Sequence, residues 1–109
     1  MRTYSFKVKE KEYVIRYTFN SICDMEEECK MGIKSILSDA NIGFNTFRLL
    51  LWVGLKWQDR GITKQRAGEI FNNFIADGGD YNVLMTEMLT LLDASVSNPN
   101  KKENTELGE

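Results

Sequence analysis

The sequence predicts one α+β domain, mostly helical, in which an N-terminal β-hairpin is followed by about four α-helices. Polar and apolar residues alternate over residues 4–19, as they do in strands that bury one face. Apolar residues then recur with the helical period, and 109 residues suffice for one hydrophobic core. We therefore expect a single domain over residues 1–95 and a disordered polar tail over residues 96–109.

The predicted hairpin places aromatic residues on one face of each strand. The polar residues 9–12 connect the strands and lack the Asn-Gly or Asp-Gly pair of a strong hairpin turn. Because an isolated hairpin is marginal in water, its apolar face must lie on helices, on further strands or on another subunit. That face consists of Tyr4, Phe6, Val8, Tyr13, Ile15, Tyr17 and Phe19.

The first helix is predicted over residues 21–31. Asn20 or Ser21 is its expected N-cap, Asp24 completes a capping box, and Gly32 is its expected end. The acidic run that starts at Asp24 lies in the first predicted turn, where the helix dipole favours negative charge. We interpret this run as a solvated face rather than a metal site, because consecutive carboxylates point around a helix.

Residues 45–57 predict a helix that is apolar almost all round, which is typical of the centre of a small core. Gly54 lies among large apolar residues, where its missing side chain lets a neighbouring ring or backbone approach closely. Helical spacing leaves one narrow polar stripe, in which Arg48 and Lys56 flank the indole of Trp52. This stripe faces either water, the protein's own fold or a partner.

Two further helices are predicted over residues 64–77 and 81–94. Thr63 and Asp80 are their expected N-caps, and a Gly-Gly pair directly before Asp80 ends the first of them. The wide apolar face of the last helix is either core or a partner surface, because methionine adapts to irregular neighbours. The candidate partner contacts on this face are Leu84, Met85 and Met88.

Composition argues against several classes of function. The net charge is −2, so the chain has no bulk attraction to nucleic acid or anionic lipid. It contains no histidine, the commonest general base and metal ligand. Cys23 and Cys29 fall on different faces of the predicted helix, and we interpret them as buried or half-buried thiols in a reducing cytosol.

The absence of common catalytic motifs from the sequence argues against the same classes of function. The sequence contains none of the common phosphate-binding, dinucleotide-binding, zinc-protease or serine-hydrolase motifs, so we expect no enzyme, cofactor or metal site. Residues 62–92 have the spacing of a helix-turn-helix, but the second helix offers few donors to bases and phosphates. The N-terminus lacks an apolar signal segment, and the apolar run at residues 46–57 is too short to cross a bilayer.

The order of the elements resembles the small tail assembly chaperones of long-tailed bacteriophages and prophages, in particular the branch that includes a gene-transfer-agent tail protein. The likeness rests on three segments: the start of the first helix, the central helix and the start of the helix after it. The matching residues are Thr18, Phe19, Ile22 and Glu26, then Phe47, Arg48, Leu50, Leu51, Trp52, Gly54 and Leu55, then Ile62, Thr63, Ala67 and Gly68.

The resemblance implies a non-enzymatic assembly factor in the cytoplasm of the host bacterium. It implies two partners, a long and helical tape-measure protein and the tail-tube protein. The exposed hairpin edge offers a route to a homo-oligomer. The Arg48–Trp52–Lys56 stripe and the methionine-bearing face of the last helix are the candidate contacts. Two other classes also fit: a small DNA-associated or regulatory helical protein, and a structural component of the virion tail.

Overall fold

The computed structural model describes residues 2–38 and 42–97. Within these ranges the chain forms a two-stranded antiparallel hairpin followed by five helices, which confirms the α+β, mostly helical class. The predicted tail lies outside the described residues except at its start, where Val96 belongs to the last helix. The elements are β1 (Tyr4–Val8), β2 (Lys11–Ile15), α1 (Phe19–Cys29), α2 (Ile33–Ser38), α3 (Phe44–Leu55), α4 (Lys64–Ala76) and α5 (Tyr81–Val96).

The hairpin is shorter than the predicted residues 4–19, because its second strand ends four residues earlier. Phe6 pairs with Tyr13 across the strands, and their stacked rings lie 5.5 Å apart between centroids. The turn has two residues, of which Lys9 takes the left-handed conformation with φ 59°. The N–H of Lys9 donates a hydrogen bond to Oδ2 of Asp77 at 2.6 Å. A carboxylate at the end of α4 therefore anchors a turn that lacks strong turn residues.

α1 begins two residues before its predicted start, because Thr18 caps it instead of Asn20 or Ser21. The Thr18 hydroxyl accepts a hydrogen bond from the Ser21 N–H at 3.0 Å, and the two hydroxyl groups lie 2.9 Å apart. Phe19, predicted on the buried strand face, is the first residue of α1 and is 77% exposed. The acidic run consequently lies beyond the first turn, so the predicted capping box is wrong.

A short helix, α2, follows α1 where the sequence shows only a brief apolar segment. α1 ends at Cys29, since Lys30 takes the left-handed conformation with φ 58°. Gly32, its predicted end, instead precedes α2. A carboxylate oxygen of Glu26 accepts a hydrogen bond from the N–H of Ile33 at 2.8 Å. One residue of the acidic run thus satisfies a backbone donor at the start of α2.

α3 is the central helix of the fold, as its apolar circumference predicts. It packs against α1, α4, α5 and β2. It begins at Phe44 with Gly43 as its N-cap and ends at Leu55, two residues before the predicted end. No helix in the described part of the chain is long and apolar enough to cross a membrane. The buried residues of α3 are Phe47, Leu50, Leu51, Val53, Gly54 and Leu55.

Gly54 lets the segment after β2 lie directly on α3, which confirms the role predicted for it. A Cβ atom on Gly54 would lie 2.6 Å from Cγ2 of Ile15 and 3.2 Å from Cε1 of Tyr17. The N–H of Arg16 donates to the Gly54 carbonyl at 2.9 Å, and the Tyr17 hydroxyl donates to the Leu50 carbonyl at 2.9 Å. This contact joins the hairpin to the helical part of the domain.

α4 and α5 begin where the sequence predicts. The Thr63 hydroxyl accepts a hydrogen bond from the Arg66 N–H at 3.0 Å. Oδ1 of Asp80 accepts one from the Asn82 N–H at 2.8 Å. Gly78 takes a φ of 93° after the end of α4, a conformation that favours glycine. Capping by residues close in sequence therefore defines both starts.

Candidate functional site

Trp52 lies at a junction of α1, α3 and α4. Its Nε1 donates a hydrogen bond to the carbonyl of Ile62, in the connection between α3 and α4, at 2.9 Å. Two lysine Nζ atoms lie near its ring, that of Lys56 at 4.5 Å and that of Lys64 at 5.3 Å from the centroid. The sequence predicts Arg48 as the second cation, which is wrong: α4 supplies Lys64 in its place.

Arg48 points away from this junction. Its Nη2 donates a hydrogen bond to Oδ1 of Asn45 at 3.4 Å, one turn earlier in α3. Its side chain runs past Gly68 of α4 and lines a cleft of about 370 Å³. Because its side chain is exposed, Arg48 is the member of the predicted stripe most open to a partner.

Two carboxylates of α1 hold the lysines at Trp52. Oδ2 of Asp24 lies 2.8 Å from Nζ of Lys56, and Oε1 of Glu28 lies 2.7 Å from Nζ of Lys64. The predicted solvated face of α1 is confirmed in part, because Glu27 is 80% exposed, whereas Asp24 and Glu28 are partly exposed and also pair with α3 and α4. Partly exposed pairs of this kind each stabilise by at most about 1 kcal/mol. Their effect is to position both ammonium groups against the indole, so Trp52 and Lys56 each contact other parts of the same chain.

The candidate residues of α5 separate into two groups. Leu84 and Met88 are 0% exposed and belong to the core. In this folded chain neither side chain offers surface to a partner, which corrects their prediction as partner contacts. Met85 is only partly buried, as are Tyr81 and Leu89 on the same side of the helix. These three residues are spaced four apart, so they form a continuous stripe along α5.

Phe44 lies beside the start of this stripe and is 73% exposed. Its ring centroid is 5.5 Å from that of Tyr81. Tyr81 in turn contacts Phe47 at 4.8 Å and Phe71 at 5.8 Å between centroids. The Phe44 ring is therefore a large exposed apolar group beside a cluster of packed rings. We name the following set the aromatic face: Phe44, Tyr81, Met85 and Leu89.

Comparisons of the chain with protein-family models, with curated proteins and with solved structures gave no match. The fold and the surface define a class of protein, namely a small α+β domain with a buried central helix and a partly exposed aromatic face. The described residues contain no group of three or more cysteine, aspartate or glutamate side chains arranged to hold a metal ion.

Proposed function

We propose that the protein is a non-enzymatic assembly factor that binds a helical partner protein through the aromatic face. Following the sequence resemblance, we propose that it is a phage or prophage tail assembly chaperone whose partner is the tape-measure protein. The observation that carries the proposal is the 73% exposure of Phe44 directly against Tyr81. Clustered apolar residues on the surface of a small protein mark interaction sites.

The shape of the aromatic face suits an amphipathic helix. Tyr81, Met85 and Leu89 extend over about 12 Å of α5, at a rise of about 1.5 Å per residue. A partner helix laid along them would present apolar residues at matching intervals of three and four. Met85 adds a flexible side chain that adjusts to different partner residues. The resemblance implies such a partner, because a tape-measure protein is a long helical chain with apolar stripes.

The residues that carry the resemblance specify the fold on which this face is built. Thr18 and Thr63 cap α1 and α4, and Gly54 receives the segment after β2. The matching leucines of α3 are buried in the core. The shared pattern therefore supports a shared architecture, and the aromatic face is one partly exposed surface of it.

Co-purification with the tape-measure protein encoded in the same phage or prophage tests the proposal. The parent chain is expected to form a complex, and Phe44→Ser is expected to weaken it about tenfold or more, as for an interface hot spot. Val83→Ser is the matched control, since Val83 is also exposed, at 49%. It lies about 200° around α5 from Tyr81, away from the aromatic face.

Two results would contradict the proposal. One concerns binding: either no complex forms when both proteins are folded, or Phe44→Ser and Val83→Ser weaken it equally. The other is genetic: a tail-tube gene is expected upstream and a very long tape-measure gene downstream, and the absence of both excludes the chaperone assignment. Salt-dependent retention of the chain on DNA would instead favour a DNA-associated protein.

A further inference from the structure

A second cleft, of about 500 Å³, lies at the opposite end of α3 from Phe44. The end of β2, the start of α1 and the connection after α3 form its walls. Three cationic side chains line it, those of Arg16, Lys56 and Arg60, against the single carboxylate of Asp24. In a chain whose net charge is −2, this is a local excess of positive charge.

The two arginines of this cleft lack acidic partners within the described residues. Lys56 is paired with Asp24 at 2.8 Å, whereas no described carboxylate lies within ion-pairing distance of Arg16 or Arg60. Nε of Arg16 is buried and has no hydrogen-bond acceptor among the described residues. Arg16 as a whole is only partly buried and lines the cleft, so its charge faces the cleft even though Nε itself is covered.

Trp57 holds Arg16 in place at the cleft. Cζ of the Arg16 guanidinium lies 5.2 Å from the centroid of the indole ring. The indole Nε1 donates to the Val14 carbonyl at 3.0 Å, and the Arg16 N–H donates to the Gly54 carbonyl at 2.9 Å. The Arg16 main chain and the Trp57 side chain are therefore each hydrogen-bonded to the fold, and the Trp57 ring contacts the Arg16 guanidinium. Such preorganisation lowers the entropy lost on binding, and tryptophan and arginine are the types most enriched in interface hot spots.

We infer that this basic cleft, formed by Arg16, Lys56, Trp57 and Arg60, docks an acidic segment of a partner protein. Charge complementarity selects this occupant: a carboxylate accepts hydrogen bonds from a guanidinium in a bidentate geometry. Nucleic acid fits less well, because the Asp24 carboxylate lines the same cleft and the chain as a whole is acidic. The inference goes beyond the proposed function, since both the surface and the chemistry differ from those of the aromatic face.

Fluorescence anisotropy with a fluorescein-labelled decaglutamate peptide and the full chain tests the inference. Saturable binding is expected at low salt and is lost in about 0.5 M NaCl, where charges are screened within a few ångströms. Arg16→Gln and Arg60→Gln are each expected to weaken binding about fivefold. Arg66→Gln removes the same charge from α4, where Arg66 pairs with Glu69, and is expected to leave the affinity unchanged.

Three outcomes would overturn the inference. The first is that the parent chain does not bind the peptide at about 1 mM. The second is that Arg66→Gln weakens binding as much as Arg16→Gln and Arg60→Gln do. The third is that a single-stranded thymidine decamer binds more tightly than the peptide and that this binding depends on the arginines. Because Arg16 contacts Trp57, thermal melts followed by circular dichroism check each variant. Arg60 lies in an exposed turn, so Arg60→Gln keeps the test decisive if Arg16→Gln does not fold. Phe44→Ser is expected to bind the peptide like the parent, which separates this result from the test of the aromatic face.

Discussion

The Tyr17 hydroxyl donates a hydrogen bond to the main-chain carbonyl of Leu50 at 2.9 Å, and both residues are buried. The bond spans 33 positions in the sequence and fixes the segment between β2 and α1 on α3. Gly54, one turn further along α3, makes the approach possible because it has no side chain. The hairpin and the helices are thereby joined through direct contacts.

Gly54→Ala is expected to lower the free energy of unfolding by about 1–3 kcal/mol, the usual cost of overpacking a core. The new Cβ would lie 2.6 Å from Cγ2 of Ile15, so the buried Ile15 side chain, the strand end or α3 must move. This cost exceeds the helix-propensity gain of up to about 1 kcal/mol. Urea unfolding followed by circular dichroism measures the difference.

Gly68→Ala in α4 is the matched control. Its Cβ would meet Cδ of Arg48 at 3.7 Å, an ordinary van der Waals contact. The substitution is expected to stabilise the protein by up to about 1 kcal/mol, because alanine favours the helix and restricts the unfolded chain. If the free energy of unfolding changes in the same direction in both glycine variants, the assigned role of Gly54 is contradicted.

The stability of the protein is expected to fall as the pH rises above 10. Burial raises the pKa of Tyr17 above its ordinary value of 10.0. Above that pH the unfolded chain loses the phenolic proton while the folded chain keeps it, so unfolding is favoured. The slope reaches about 1.4 kcal/mol per pH unit for one such group. Below pH 10 both states hold the proton, and Tyr17 adds no pH dependence.

Tyr17→Phe tests this origin of the alkaline transition. At neutral pH the substitution is expected to cost about 1 kcal/mol for the lost hydrogen bond to Leu50. Above pH 10, most of the decrease in the free energy of unfolding with pH is expected to disappear in this variant. Smaller slopes remain from Tyr4, whose pKa is raised by partial burial and by the nearby Glu87, and from Cys29, whose pKa is raised by burial and by Glu28. Urea titrations at a series of pH values give the slopes, and an unchanged slope in the variant would refute the assignment.

Trp52→Ala is expected to destabilise the protein by about 3 kcal/mol, the lower end of the range for deleting a packed aromatic side chain. The variant loses the hydrogen bond to Ile62 and the ring that Lys56 and Lys64 contact. Trp52→Phe keeps a ring and loses the indole N–H, so a smaller cost of about 1 kcal/mol is expected. Parent-like stability of Trp52→Ala would show instead that this side chain is a free surface contact.

Cys23 is expected to react with iodoacetamide faster than Cys29. Cys23 is exposed, which corrects the sequence prediction that both thiols are at least half-buried. Cys29 is partly covered, and burial together with the nearby Glu28 carboxylate raises its pKa. The thiolate is the reactive form, so a raised pKa slows alkylation. Peptide mass spectrometry measures both rates. Equal rates in the folded protein would contradict the prediction, whereas equal rates in urea are expected.

Helix starts were predictable from the sequence where one local signal acted alone. Thr63 and Asp80 cap α4 and α5 through hydrogen bonds to residues two or three positions ahead. Thr18 gives two conflicting signals, because it continues the alternation of the strand and is also a good N-cap. The cap determines the structure here, since the Gly54 contact has already ended the regular pairing of β2.

The candidate site was less predictable, because it depends on which helices meet. Arg48, Trp52 and Lys56 share one side of α3, yet Lys64 reaches the ring through the packing of α4 on α3. Phe44 was not predicted as a site residue because it directly precedes the predicted helix. Its neighbour Tyr81 lies 37 positions away in the sequence, and only the tertiary fold brings the rings together.

The attachment of the hairpin to α3 also sets an order of events during synthesis on the ribosome. The Val14 carbonyl receives its hydrogen bond from Trp57, 43 positions later. A hairpin without its helical support is marginal in water. At about 5–20 residues per second, the strands are completed about two to nine seconds before that support leaves the ribosome. The nascent chain therefore exposes its most β-prone segment before the domain can close over it.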